Sequence, residues 1–301
     1  MATPEKHAWI LAGALAWVIA FGPSCAGEAG VKPVALETRV AARTLAPGEP
    51  LRLEVDSAEA LQSLDATLLG EPVYLTPVDE TGLRWSGWSM IGLDQSAGTE
   101  SIELRGRTRD GREALGTRAI AITATEFPTE DLTVSSKFVE PPKEVQERIA
   151  REREKLSRIY THREAYPPPT APFVRPVPGI KTSVFGTRRL FNGQPRSPHP
   201  GLDLRAENGT PVYASGPGRV VLAENLYYSG NIVILDHGGG LFTLYAHLSS
   251  IQVAAGETAK SGDLLGLSGS TGRVTGPHLH WGAKIGNRPF DPEALLEEAL
   301  F

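Results

Sequence analysis

The stretch Gly276–Ile285 restricts the fold more than any other part of the chain. His278, His280, Gly282 and Lys284 share one parity, while Leu279, Trp281, Ala283 and Ile285 share the other. Side chains on a strand alternate between two faces, so this pattern predicts one apolar face and one face carrying two imidazoles. Leu241–Leu248 repeats the arrangement, with Phe242, Leu244, Ala246 and Leu248 on the apolar parity and Thr243, Tyr245 and His247 on the polar one. A third patch comes from His199 and Asp203, four apart. Pro200 and Gly201 between them argue against a helix and for a turn entering a strand.

These patches offer four imidazoles and a carboxylate. Histidine is the commonest protein ligand for zinc and exchanges protons near neutral pH. A catalytic zinc keeps three protein ligands and one open position, so five such groups suffice for three ligands and two supporting imidazoles. Three histidines fall outside this set, His7 near the N-terminus and two others. His237, in Asp236-His237-Gly238 at a strand end, reads as a satisfied structural residue, and His162 as a surface residue of a helix.

The motifs His199-x-x-x-Asp203, Ala206-x-x-Gly209-Thr210-Pro211-Val212, Tyr245-Ala-His247-Leu and Thr275-Gly-Pro-His278-Leu-His280 occur in order. Together they resemble the lysostaphin/LytM-type zinc metallopeptidases over about Ile180 to Pro292. The resemblance implies that His199, Asp203 and His280 bind one Zn²⁺ and that His247 and His278 are catalytic, without saying which is the general base. It implies a zinc-activated water attacking peptide cross-links of bacterial peptidoglycan. Phe185-Gly186-x-Arg188 also matches, in a part that lines the cleft in the family, so Arg188 or Arg189 is expected to meet a substrate carboxylate; we assign Arg188. Gly282 departs from the family, where many relatives carry a polar or acidic residue.

The N-terminus predicts export. Lys6 and His7 precede the uncharged run Trp9–Phe21, and Ser24, Cys25 and Ala26 follow. That is the layout of a secretory leader over 1–26, and the run is short for a membrane span. It places the protein in the periplasm or cell envelope of a bacterium. Cys25 is the only cysteine, so no internal disulfide forms; a lipidated Cys25 anchoring the chain to a membrane is the lesser reading, because Gly22-Pro23-Ser24 matches a lipobox poorly.

Between 30 and 127 short alternating runs lie between turn residues. Leu51, Leu53 and Val55 alternate with Arg52 and Glu54, Ile102 and Leu104 with Glu103 and Arg105, and Asp110-Gly111 predicts a hairpin turn. This reads as an immunoglobulin-like β-sandwich. Trp85 and Trp88 are assigned to packing rather than to a sugar-stacking surface. Lys143–Ala165 reads as a solvated helix packed along one edge, with Val145, Ile149, Leu156 and Ile159 as its apolar stripe. With the Pro-rich stretch after it, the helix forms a linker over 138–170. The peptidase domain then occupies 171–296, so the whole chain is mainly β, with a C-terminal antiparallel-β metallopeptidase domain.

A net charge of −5 over 301 residues gives no support for nucleic-acid binding, which needs a basic field. Ser268-Gly-Ser-Thr-Gly272 is not a phosphate loop, since no Gly-Lys-Ser/Thr follows. Two other functions are considered: a catalytically silent or autoinhibited regulator that activates another cell-wall hydrolase, and a lipoyl-type carrier. The carrier reading gives no reason for four histidines and an aspartate at these spacings.

Overall fold

The structure is a computed structural model that describes residues 32–162 and 169–301. The expected leader, Cys25 and positions 163–165 of the expected helix lie outside the described residues.

The first part is all β. Strands β1 (Val34–Ala41), β2 (Pro50–Ser57), β3 (Leu61–Leu68), β4 (Glu71–Pro77), β5 (Arg84–Met90), β6 (Gly98–Thr108) and β7 (Glu113–Ile122) follow one another. They pair in the order β1-β2-β5-β4-β3-β6-β7, and a short parallel contact of Val34 and Ala35 with Ala114 and Leu115 closes the ring. Two strands serve both faces of this sandwich. Most of β1 pairs with β2, and β4 pairs first with β3 and then with β5. The alternation on β2 is realised: Leu51, Leu53 and Val55 are buried with Ile102, Leu104, Ile120 and Trp85 in the interior. Gly111, at φ +88°, makes the β6–β7 turn.

Trp88 is also fully buried, but on the outer face of β5. With Met90 it packs against Leu241, Ile285, Phe290, Leu295 and Leu300, and its ring meets Phe301 edge-on at 5.6 Å. The sandwich is thereby fixed to the C-terminal part through an apolar cluster.

The connecting segment holds β8 (Thr129–Leu132), α1 (Ser136–Val139) and α2 (Lys143–Thr161). Helix α2 starts after Pro142 and ends where His162 turns extended (φ −71°, ψ 143°).

The C-terminal part has β9 (Lys181–Ser183), β10 (Arg188–Phe191), β11 (Gln194–Pro195), β12 (Gly201–Leu204), β13 (Pro211–Tyr213), β14 (Gly218–Leu226) and β15 (Gly230–Asp236). It continues with β16 (Leu241–Ile251), β17 (Thr258–Ala259), β18 (Leu264–Ser268), β19 (Leu279–Ile285) and β20 (Arg288–Phe290). The main path runs β17-β14-β15-β16-β19-β12-β9, antiparallel throughout. One face carries Tyr245, Trp281, Leu202, Leu204, Val233 and Leu235 into a core with Leu265. The other face carries Ile232, Ile234, Phe242, Leu244 and Ala246.

Helix α2 covers that second face rather than an edge. Its most deeply buried residue is Tyr160, outside the expected stripe, with its ring edge-on to Phe242 at 5.3 Å; Leu156 and Ile159 pack beside it. Among the described residues no helix is long and apolar enough to cross a membrane.

Candidate active site

Strand register brings the first two groups together. Asp203 on β12 lies directly opposite His280 on β19, and Ala246 on β16 lies opposite His280 from the other side. Residues opposite one another in a ladder share a face, so the site lies on the same face that α2 covers further along. His199 precedes β12 in a turn tied down by its own backbone, N–H to Thr187 O and C=O to Gly186 N, both 2.9 Å.

The three side chains converge. His199 Nε2 is 3.0 Å from Asp203 Oδ1 and 3.0 Å from His280 Nδ1, and His280 Nδ1 is 2.8 Å from the same carboxylate oxygen. A tetrahedral ion with bonds of about 2.0–2.1 Å separates its ligand atoms by about 3.3 Å. The observed spacings fall a few tenths of an ångström short of that, within reach of small side-chain rotations. The rest of each ring also fits a metal. His199 Nδ1 donates to Val184 O at 3.0 Å, which orients the ring with Nε2 facing into the site. His280 turns its far edge to Gly201, where an added Cβ would lie 2.9 Å from Nε2. The residues present therefore fit one Zn²⁺.

Burial alone would raise the Asp203 carboxyl; hydrogen bonds from His199 and His280 and their charge outweigh it and hold the group well below its usual range. The outer oxygen, Oδ2, accepts from Arg189 Nη2 at 2.6 Å. Arg189 also reaches Ser183 Oγ, and Ser183 Oγ donates to Glu130 of β8.

His247 arrives by a different route. Strand β16 carries an extra residue against β15 between Tyr245 and Leu248, and His247 has φ +65°. The parity expected for Thr243, Tyr245 and His247 is therefore broken. Thr243 and Tyr245 point to the opposite face, where the Tyr245 hydroxyl bonds to Ser215 and Thr243. The bulge turns His247 alone towards the site. Its Nδ1–H donates to Thr271 O at 2.8 Å, leaving Nε2 as an acceptor. Burial, and then the neighbouring imidazoles, push its pKa down to about 3, so the ring is neutral.

His278 sits just before β19 with Nδ1–H on Gly276 O at 2.9 Å and Nε2 3.7 Å from Asp203 Oδ1. The His247 and His278 rings lie 5.0 Å apart. Both present Nε2 beside the triad.

A cavity of about 130 Å³ opens over these groups, lined by Asp203, His247, His278 and His280 with Arg189, Arg273, Phe191 and Tyr228. Leu132 and Val134, from the segment after β8, form part of its wall. Strand β8 is held there by parallel pairing with β10. A larger cavity of about 770 Å³ lies between the sandwich and Pro169–Pro172, but it brings together no imidazole.

The remaining expected residues sit elsewhere. Arg188 is exposed on β10 and does not line the cavity; its neighbour Arg189 does. His237 is buried, with Nδ1–H on Pro217 O at 2.6 Å and Nε2 accepting from the Thr243 hydroxyl at 2.7 Å. Arg273 was not singled out from the sequence. Its position in the glycine-rich run before Gly276-Pro-His278 was the available signal.

Residues 197–292 match the family described as Peptidase family M23, a span that includes all five converging side chains. Residues 197–292 are a peptidase family M23 domain. The chain is 48% identical over 109 residues to the peptidoglycan DD-endopeptidase ShyA of Vibrio cholerae, covering 36% of this chain and 25% of ShyA. It is 45% identical over 97 residues to the DD-carboxypeptidase/endopeptidase Mpg of Neisseria meningitidis, covering 32% of this chain and 22% of Mpg. The chain thus spans about a quarter of the length of these relatives. A crystal structure of a Pseudomonas aeruginosa protein assigned to peptidase M23 superposes with TM-score 0.63 at 28% identity, covering 85% of this chain and 96% of that one. That likeness extends beyond the matched segment into the sandwich.

Proposed function

We propose that this protein is a zinc-dependent endopeptidase that hydrolyses peptide cross-links of bacterial peptidoglycan, and that it works as an exported protein in the periplasm or cell envelope. The observation that carries this reading is the convergence of His199, Asp203 and His280, with the free Nε2 atoms of His247 and His278 beside them. The name of ShyA, a peptidoglycan DD-endopeptidase, points to the same substrate class.

In this reading His199 Nε2, Asp203 Oδ1 and His280 Nδ1 hold the ion, which when bound supplies Lewis-acid activation of water and of the scissile carbonyl. His247 and His278 handle protons. Each is locked in the Nδ1–H tautomer by a backbone carbonyl, so each Nε2 is an acceptor aimed at the cavity. One takes the proton from the attacking water; the other, once protonated, stabilises the tetrahedral oxyanion or protonates the leaving amine. Arg189 keeps Asp203 oriented and ionised. The presence of all five side chains at the site argues against a silent regulator.

The test is digestion of purified sacculi by zinc-loaded protein, with muropeptides separated afterwards. Wild type should release cross-linked fragments and His278→Ala should not; identical product profiles would sink the reading.

A further inference from the structure

Arg273 stands at the wall of the catalytic cavity without an anion. Its guanidinium lies between two rings, with Cζ 4.7 Å from the centroid of Phe191 and 4.8 Å from that of Tyr228. Ring contacts of this kind hold the guanidinium faces and leave the N–H edges as the free donors. Among the described residues no ion pair joins a carboxylate to it; the nearby carboxylates of Glu130 and Asp203 pair with Arg189 instead. Arg189 and Arg196 are close enough to disfavour its charge, and burial does so more strongly. A half-buried cation beside like charges is costly unless an anion joins it.

The position is rigid. Arg273 N donates to Tyr228 O at 2.8 Å, and Gly272, at φ +76°, lets the two loops approach so closely that a Cβ there would lie 2.3 Å from Gly230 N. One residue earlier, Thr271 O receives the His247 Nδ1–H. The loop that sets one catalytic imidazole therefore also sets the guanidinium.

We propose that Arg273 forms a carboxylate-binding subsite that selects peptides bearing a free carboxylate on the residue flanking the scissile amide. Planar guanidinium matches carboxylate through two parallel hydrogen bonds. Because Arg273 lines the same small cavity as His247, His278 and His280, the carboxylate it meets belongs to a residue next to the bond being cut. This assignment rests on the peptidase reading of the site.

The test uses the intact zinc-loaded chain and two synthetic cross-linked peptides, identical except for a carboxylate or a carboxamide on the flanking residue. Wild type should favour the carboxylate in kcat/KM by roughly 10- to 100-fold, mainly through KM, the range of a charge-assisted hydrogen bond. Arg273→Gln should bring the ratio to about 1, Arg273→Lys should restore part of it, and Arg196→Gln, a charge removed from outside the cavity, should preserve it. Equal cleavage of both peptides by wild type, or an unchanged ratio in Arg273→Gln, overturns the subsite and leaves the peptidase intact. If neither peptide is cut, calorimetric binding decides. Arg273-dependent preference for the carboxylate peptide keeps the subsite while the peptidase reading falls, and binding without preference removes the subsite as well.

Discussion

Arg189 grips the outer oxygen of Asp203 at 2.6 Å while the inner oxygen of the same carboxylate faces His199 and His280 at 3.0 and 2.8 Å. The carboxylate is thus held from behind by a cation and presented forwards to two imidazoles. Arg189 is in turn tied to Ser183 and Glu130, so a residue of the connecting segment steadies the site.

Asp203→Ala should abolish stoichiometric zinc binding, measured by metal analysis of the isolated protein. Arg189→Met should lower zinc affinity by roughly 10- to 100-fold, the usual cost of losing a partner behind a ligand. Chelator competition measures that loss, and an unchanged affinity would show that Arg189 does not position Asp203.

His247→Ala and His278→Ala should each retain zinc and lose roughly 10²- to 10⁴-fold in kcat, the range for one proton-transfer group. Loss of zinc in either variant would reassign that residue to the ligand set.

His237 sets an acid limit on stability. Burial lowers its pKa from 6.5 to about 4, so between those values the unfolded chain binds the proton more readily and stability falls as pH falls. Above about pH 6.5 the group contributes no pH dependence, and below about 4 the cost is complete, roughly 3 kcal/mol at 1.36 kcal/mol per pKa unit. Chemical denaturation from pH 7 to 4 should show a shallower decline in His237→Gln than in wild type.

Lys284 lies on the site-bearing face under α2, with its ammonium 4.3 Å from the Tyr160 ring centroid. Burial lowers its pKa to about 8. The unfolded lysine holds its proton to about 10.5, so stability rises with pH between 8 and 10.5 and the penalty is fully present at pH 7. Lys284→Met, which keeps the aliphatic stem, should stabilise the protein at pH 7 by roughly 1–3 kcal/mol. The gain should fade as pH rises through that window, and thermal melts at pH 7 and 10 check it.

Residue types and their spacing marked five candidate groups, His199, Asp203, His247, His278 and His280, because imidazoles and a carboxylate repeated at strand parity are local features of the chain. Their division into ligands and proton carriers came from the resemblance to a known family. The same alternation marked the sandwich interior at Leu51, Leu53 and Val55, since parity is local to a strand. What lay beyond it depended on pairings between distant segments. Nothing in Tyr245-Ala-His247 declares a bulge, because the extra residue exists only relative to β15; His247 reaches the site through that bulge and a left-handed φ, against its own parity. The parallel pairing of β8 with β10, the placing of α2 over Phe242 and Leu244, and the choice of Arg189 over Arg188 as the partner of Asp203 have the same origin. Each depends on which surface remains uncovered once the sheet has formed, and that is a property of the assembled sheet rather than of any one stretch of chain.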